Sequence, residues 1–90
     1  MKQLKQVLNL IFREHKEKYK SVYNNSGTFQ AQVENGNNFS PIIKSLSDKL
    51  IFKANEHLEE NGIANKTNIE NHIKELIKDF NYLMINPDKK

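Results

Sequence analysis

Between Leu4 and Val22 the apolar side chains fall at Leu4, Val7, Leu8, Ile11, Phe12, Tyr19 and Val22, with His15 filling the gap at the same spacing. Steps of three and four put them on one face of a helix, because 3.6 residues complete a turn. The same register returns in Ile43, Leu46, Leu50, Ile51, Ala54, His57 and Leu58, and again in Ile69, Ile73, Leu76, Ile77, Phe80, Leu83 and Met84. Three such stretches, each apolar on one side only, have to bury those sides against one another. Joined by short connections, they predict a three-helix bundle.

Turn-forming and capping residues set the boundaries. The first helix covers about residues 2–23 and ends at Asn24-Asn25-Ser26-Gly27. Ser40-Pro41 reads as a helix start, serine capping the free amides and proline sitting where no hydrogen bond is lost. A second helix is therefore expected over about 41–61, stopped by Asn61-Gly62. Thr67-Asn68-Ile69-Glu70 matches a capping box and opens a third helix over about 68–84, closed by Asn86-Pro87. Between the first two helices, Phe29, Ala31 and Val33 alternate with Gln30, Gln32 and Glu34. Period two is the signature of a half-buried strand, and Asn35-Gly36-Asn37-Asn38 reads as a turn after it. Phe39 stands too close to Pro41 for a long return strand, and a ribbon so short is unstable alone. The expected fold is mainly α: a three-helix bundle in one domain, 1–90. A short β arm or hairpin over 24–39 either lies on the helices or pairs with another chain.

Composition narrows the function. Ninety residues allow one domain with a small core, 37% of them apolar. With no cysteine, disulfides, thiolate nucleophiles and cysteine zinc sites are excluded. The apolar runs are three residues long, as in Leu10-Ile11-Phe12, whereas a membrane span needs about 18 or more. No signal-peptide core follows Lys2 and Lys5, so a cytoplasmic location is expected. Three glycines in all, and no GxGxxG, P-loop or GxSxG pattern, leave nothing to cradle a phosphate or present a serine nucleophile. His15, His57 and His72 fall one per helix at the border of each apolar stripe, without the spacing of a ligand pair. No catalytic residue, metal, cofactor or small-molecule substrate is expected, and the chain is not expected to be an enzyme.

Two kinds of macromolecular partner remain. The net charge is +3, and residues 1–23 hold Lys2, Lys5, Arg13, Lys16, Lys18 and Lys20 against Glu14 and Glu17. On the helix, Lys2, Lys5, Asn9, Arg13, Lys16 and Lys20 gather opposite the apolar face, a stripe able to track phosphates. Abundant asparagine, lysine and isoleucine also match the coding bias of an AT-rich genome, which lessens the weight of the charge. The run from Lys53 through Gly62 to Leu76 is loosely similar to a helix-turn-helix, and Tyr82 to Asp88 looks like the start of a winged-helix wing. That resemblance implies DNA contacts from Lys66, Thr67, Asn68 and Asn71. However, Leu58 stands where a small residue is usual, and Glu70, Glu75 and Asp79 balance Lys74 and Lys78 on the third helix.

A protein partner is therefore ranked first. The expected contacts are the arm residues Phe29, Ala31 and Val33 and the aromatics Phe52 and Tyr82, both off their helices' apolar stripes. The sequence reading is a small regulatory or accessory protein, an adaptor, inhibitor or immunity-type protein of the kind carried by mobile elements. It would bind another protein or its own copy, with DNA binding as the alternative.

Overall fold

The computed structural model describes residues 2–62 and 65–83, and the described chain is three helices: α1 (Lys2–Val22), α2 (Phe29–Asn61) and α3 (Lys66–Leu83). At 1.5 Å per residue the 33 residues of α2 make a rod of about 50 Å, which accounts for the 48 Å long axis of the molecule. His15 on α1 meets Ser45 on α2, and Asn24 just past α1 meets Asn35, so these two helices run antiparallel along nearly their whole length. α3 lies beside both, with Asn9 against His72 and Phe80 against Phe12 and Phe39. The core is Leu8, Tyr19, Leu46, Leu50, Ile69, Phe80 and Leu83, all fully buried. These are stripe residues anticipated from the periodicity.

The β arm expected over 24–39 is not there. Phe29 to Asn38 are the first turns of α2, which begins twelve residues before the expected start at Pro41. Thr28 caps this helix, its hydroxyl accepting the Ala31 N–H at 3.1 Å. Ala31, Asn35, Phe39, Ile42, Leu46, Leu50 and Ala54 are buried in one continuous stripe with helical steps. The alternation of Phe29, Ala31 and Val33 fits a helix equally well once Phe29 and Val33 face solvent and Ala31 alone turns inward.

Magnitudes explain why the helix wins. Gly36 costs about 1 kcal/mol and Pro41 about 3 kcal/mol inside a helix. Against that, burying a phenylalanine such as Phe39 contributes about 1.5–3 kcal/mol, and each aromatic pair about 0.5–1.5 kcal/mol more. Phe39 makes two such pairs, an edge contact with Tyr19 at 5.1 Å and a stack on Phe80 at 5.2 Å. A solitary ribbon has no comparable partner.

Asn35 supplies the remaining closure. Its side-chain carbonyl accepts the Asn24 N–H and its amide donates to the Asn24 carbonyl, both at 2.8 Å. One buried side chain thus satisfies both backbone groups of a residue where the chain turns from α1 to α2. Asn24 also accepts the Ser26 N–H, which tightens the turn.

The end of α2 is as expected: Gly62 has φ +81° and its N–H reaches the Leu58 carbonyl at 2.9 Å. α3 begins two residues earlier than the start at 68 expected from the capping box. The Asn65 carbonyl accepts the Ile69 N–H, so Thr67 is already helical, and Glu70 lies 4.0 Å from Lys66. Met84 and the Asn86-Pro87 closure lie outside the described residues.

Candidate functional site

The two sides of the α1–α2 pair differ. On one, α3 covers the seam. On the other, among the described residues, the seam is open, and two adjoining grooves of about 560 and 570 Å³ run along it, lined by residues of α1 and α2. The first is walled by Gln3, Leu4 and Val7 against Glu56, His57 and Glu60; the second by Ile11 and Glu14 against Asp48, Lys49 and Phe52. Lys53 belongs to both, 3.6 Å from Glu56. Phe52 stands 63% exposed at the mouth and Val7 is 40% exposed.

The expected protein-contact residues fall in two places. Phe52 is in the groove. Phe29, 81% exposed, and Val33 lie on the opening turns of α2, and Tyr82 is near the described end of α3. Phe80 stacks on Phe39, so these three share the end of the bundle where α1 hands over to α2. Nineteen residues of helix, about 28 Å, separate Val33 from Phe52. Ala31, expected among the contacts, is buried in the core and has no surface to offer.

Most of the expected nucleic-acid residues are exposed. Lys5, Arg13 and Lys20 face solvent, Lys16 is half-buried, and Lys2 opens α1. Lys66, Thr67, Asn68 and Asn71 are exposed in the first turns of α3. His72 Nε2–H donates to Asn9 Oδ1 at 3.0 Å, which brings the neighbourhood of Asn68 and Asn71 up to Lys5 and Arg13. Burial, and then the charge of Lys5, hold the His72 imidazole below its ordinary pKa of 6.5. The geometry differs from a helix-turn-helix in one respect. There the second helix crosses the first steeply, whereas here the Phe39–Phe80 stack lays α3 back along α2 as an antiparallel neighbour. The wing expected from Tyr82 to Asp88 falls almost wholly outside the described residues.

The histidines all have structural partners. His15 is buried, and its Nδ1–H donates to the Ile11 carbonyl at 2.8 Å while Nε2 meets Ser45 Oγ at 3.1 Å. A serine beside an imidazole has the form of a nucleophile and base, but both sit mid-helix. Backbone N–H groups there are engaged within α1 and α2, so none is placed to hold an oxyanion. His57 meets Asn61, which also donates to the His57 carbonyl. Among the described residues no three histidine or carboxylate side chains gather where they could hold a metal ion. None of the helices is long and apolar enough to cross a membrane.

Tyr19 is the other buried polar group. Its ring joins Phe12, Tyr23, Phe39 and Phe80 in an aromatic cluster drawn from all three helices. The hydroxyl is buried with no hydrogen-bond partner among the described residues. Burial, and then the neighbouring Tyr23, push its pKa up to about 12, so it remains a neutral phenol.

Sequence reasoning identified Phe52 as an aromatic on the wrong side of its stripe. It missed Ile11, Lys49 and Lys53 as its neighbours and Val7 in the adjoining groove. Their only signal is the assembled pair of helices, since a single helical wheel does not say which flank a third helix covers. No protein-family model matches the chain, and no characterised protein or solved structure is similar to it.

Proposed function

We propose that this is a small non-enzymatic regulatory or accessory protein that acts by binding another protein. The observation that carries the reading is the exposed Phe52 beside the apolar side chain of Ile11 at an open seam between two helices. Large aromatics that would bury 150–250 Å² are the commonest anchors of protein interfaces, and a lone folded chain gains nothing by leaving one in water. Phe29, Val33 and Tyr82 are further exposed apolar side chains toward the far end. An adaptor, inhibitor or immunity-type role fits the size and the chemistry.

The test is site-specific photo-crosslinking in cells that make the protein, with benzoylphenylalanine at Phe29, Phe52 or Tyr82 and at exposed Lys18 as the control. A discrete adduct from one of the three aromatic positions and none from Lys18 is the expected result. Absence of any adduct above the control overturns the reading. An adduct with twice the chain mass identifies a second copy as the partner.

DNA binding stands as the second reading because the exposed Lys5, Arg13 and Lys20 share a side of the molecule with Asn68 and Asn71. Fluorescence anisotropy of a labelled duplex at about 50 and 200 mM salt decides it, since affinity carried by phosphate contacts falls by orders of magnitude over that range. No binding at the lower salt removes this reading.

A further inference from the structure

We infer that the α1–α2 groove is the seat of a basic amphipathic helix from another protein. This rests on the protein-binding reading and specifies its partner.

Shape supports a helix. The groove follows α1 from Gln3 to Glu14, about 16 Å, which is three helical turns. Both walls are helices, so an occupant laid between them would complete on this flank the packing that α3 completes on the other. Val7 and Ile11 stand four residues apart on α1, the spacing of side chains at i and i+4 of such an occupant, and Phe52 lines the groove together with Ile11. An extended peptide has nothing to pair with, because the backbone of both walls is hydrogen-bonded within its own helix.

Charge supports a basic one. Glu14, Asp48, Glu56 and Glu60 line the groove against only Lys49 and Lys53, and Lys53 already sits 3.6 Å from Glu56. This flank is therefore acidic on a chain whose net charge is +3. Lysine or arginine bordering the occupant's apolar stripe would meet these carboxylates at the rim, whereas an acidic helix or a nucleic acid would be repelled there. A second copy fits poorly: the apolar side of its own basic helix α1 is spent on its core.

The probe is a fluorescein-labelled peptide of about 14 residues. It is built from leucine at helical spacing with lysine elsewhere, and is compared with a counterpart carrying glutamate for every lysine. Titrated with the whole protein at low salt, the lysine peptide should bind at least about tenfold tighter, and the gap should narrow toward about 0.5 M salt. Phe52→Ala should weaken binding by about tenfold while leaving the helical circular dichroism unchanged, since the ring is exposed. Glu14→Gln with Asp48→Asn should weaken the lysine peptide and strengthen the glutamate one. Arg13→Gln, on the opposite flank, should do neither. Equal affinity for the two peptides overturns the basic partner, and no binding, or binding unmoved by Phe52→Ala, overturns the groove. If photo-crosslinks form from Phe29 or Tyr82 but never from Phe52, the groove falls and the protein-binding reading stands. Crosslinks from none of the three remove both.

Discussion

The two flanks of α1 show how one helix serves two surfaces of opposite character. Toward α3 its side chains are sealed: Phe12 meets Phe80 edge-on at 6.0 Å and Asn9 accepts from His72. The cations Lys5, Arg13 and Lys20 stand outside that seam. Toward the open side, Val7, Ile11 and Glu14 face α2 across a groove that no third element among the described residues closes. The difference arises from number rather than composition. Two long helices have two flanks to cover, and the described chain has one further helix, which covers one of them.

Removing the seal gives the largest effect. Phe80 is fully buried and touches the rings of Phe12, Tyr19 and Phe39, so Phe80→Ala leaves a cavity at the point where all three helices meet. A loss of about 3–5 kcal/mol is expected, a large part of what a domain this small possesses. Urea unfolding followed by circular dichroism measures it. A loss below about 1 kcal/mol would mean that α3 is not what makes the two flanks differ.

Next is the end of the bundle where α1 hands over to α2, beyond the described reach of α3. There Asn35 holds the chain by its two bonds to Asn24. Asn35→Ala should cost about 1–3 kcal/mol, because both Asn24 backbone groups lose their partner. Asn35→Asp should be no better, since its carboxylate can still accept the Asn24 N–H but faces the Asn24 carbonyl with no donor. Hydrogen exchange should report early loss of protection in the first turns of α2, with Leu46 and Leu50 unaffected. Uniform loss along α2 would show instead that the helix opens only as a whole.

The smallest effect concerns the polar seam between α1 and α3. The pKa of His72 lies below 6.5 in the folded protein, from burial and then from Lys5. The unfolded chain therefore takes up this proton first as pH falls. The contribution of His72 to stability is complete above about pH 6.5 and is lost as the pH falls from there through the folded-state value. His72→Gln should flatten this part of the dependence, read as the difference between wild-type and variant urea midpoints at pH 7.5 and pH 5. A variant whose midpoint moves with pH as much as the wild type would place the sensitivity elsewhere.

α1, α3 and the second half of α2 were legible in the sequence because each carries a long, unambiguous 3.6-residue pattern. From Leu46 to Leu83 the expected inward residues are mostly the buried ones. Residues 29–40 were not legible. Three alternating apolar residues satisfy either period, Gly36 and Pro41 both argue locally against a helix, and Asn35 occupies a core position that polarity alone assigns to a turn. The deciding contributions are tertiary: the Asn24 backbone for Asn35, and Tyr19 and Phe80 for Phe39. Of the candidate surfaces, individual exposed residues such as Phe52, Arg13 and Asn71 could be named from the helical register. Their grouping could not, because it depends on which flank α3 occupies.

The bonds of Asn35 also bear on how the molecule ages. Asparagine followed by glycine is the dipeptide most prone to lose its side-chain amide, through attack of the glycine nitrogen on the asparagine side chain. The chain contains it twice, at Asn35-Gly36 and Asn61-Gly62. In the folded protein the first is protected: Gly36 is in a helix and the Asn35 side chain is buried and held at both ends. Asn61-Gly62 is exposed at the end of α2, on the rim of the groove. Slow deamidation of native protein should therefore begin at Asn61 and add a negative charge to a flank that is already acidic. Deamidation at Asn35 would instead record time spent unfolded, and would leave a carboxylate that cannot rebuild the bond on which the first turns of α2 depend.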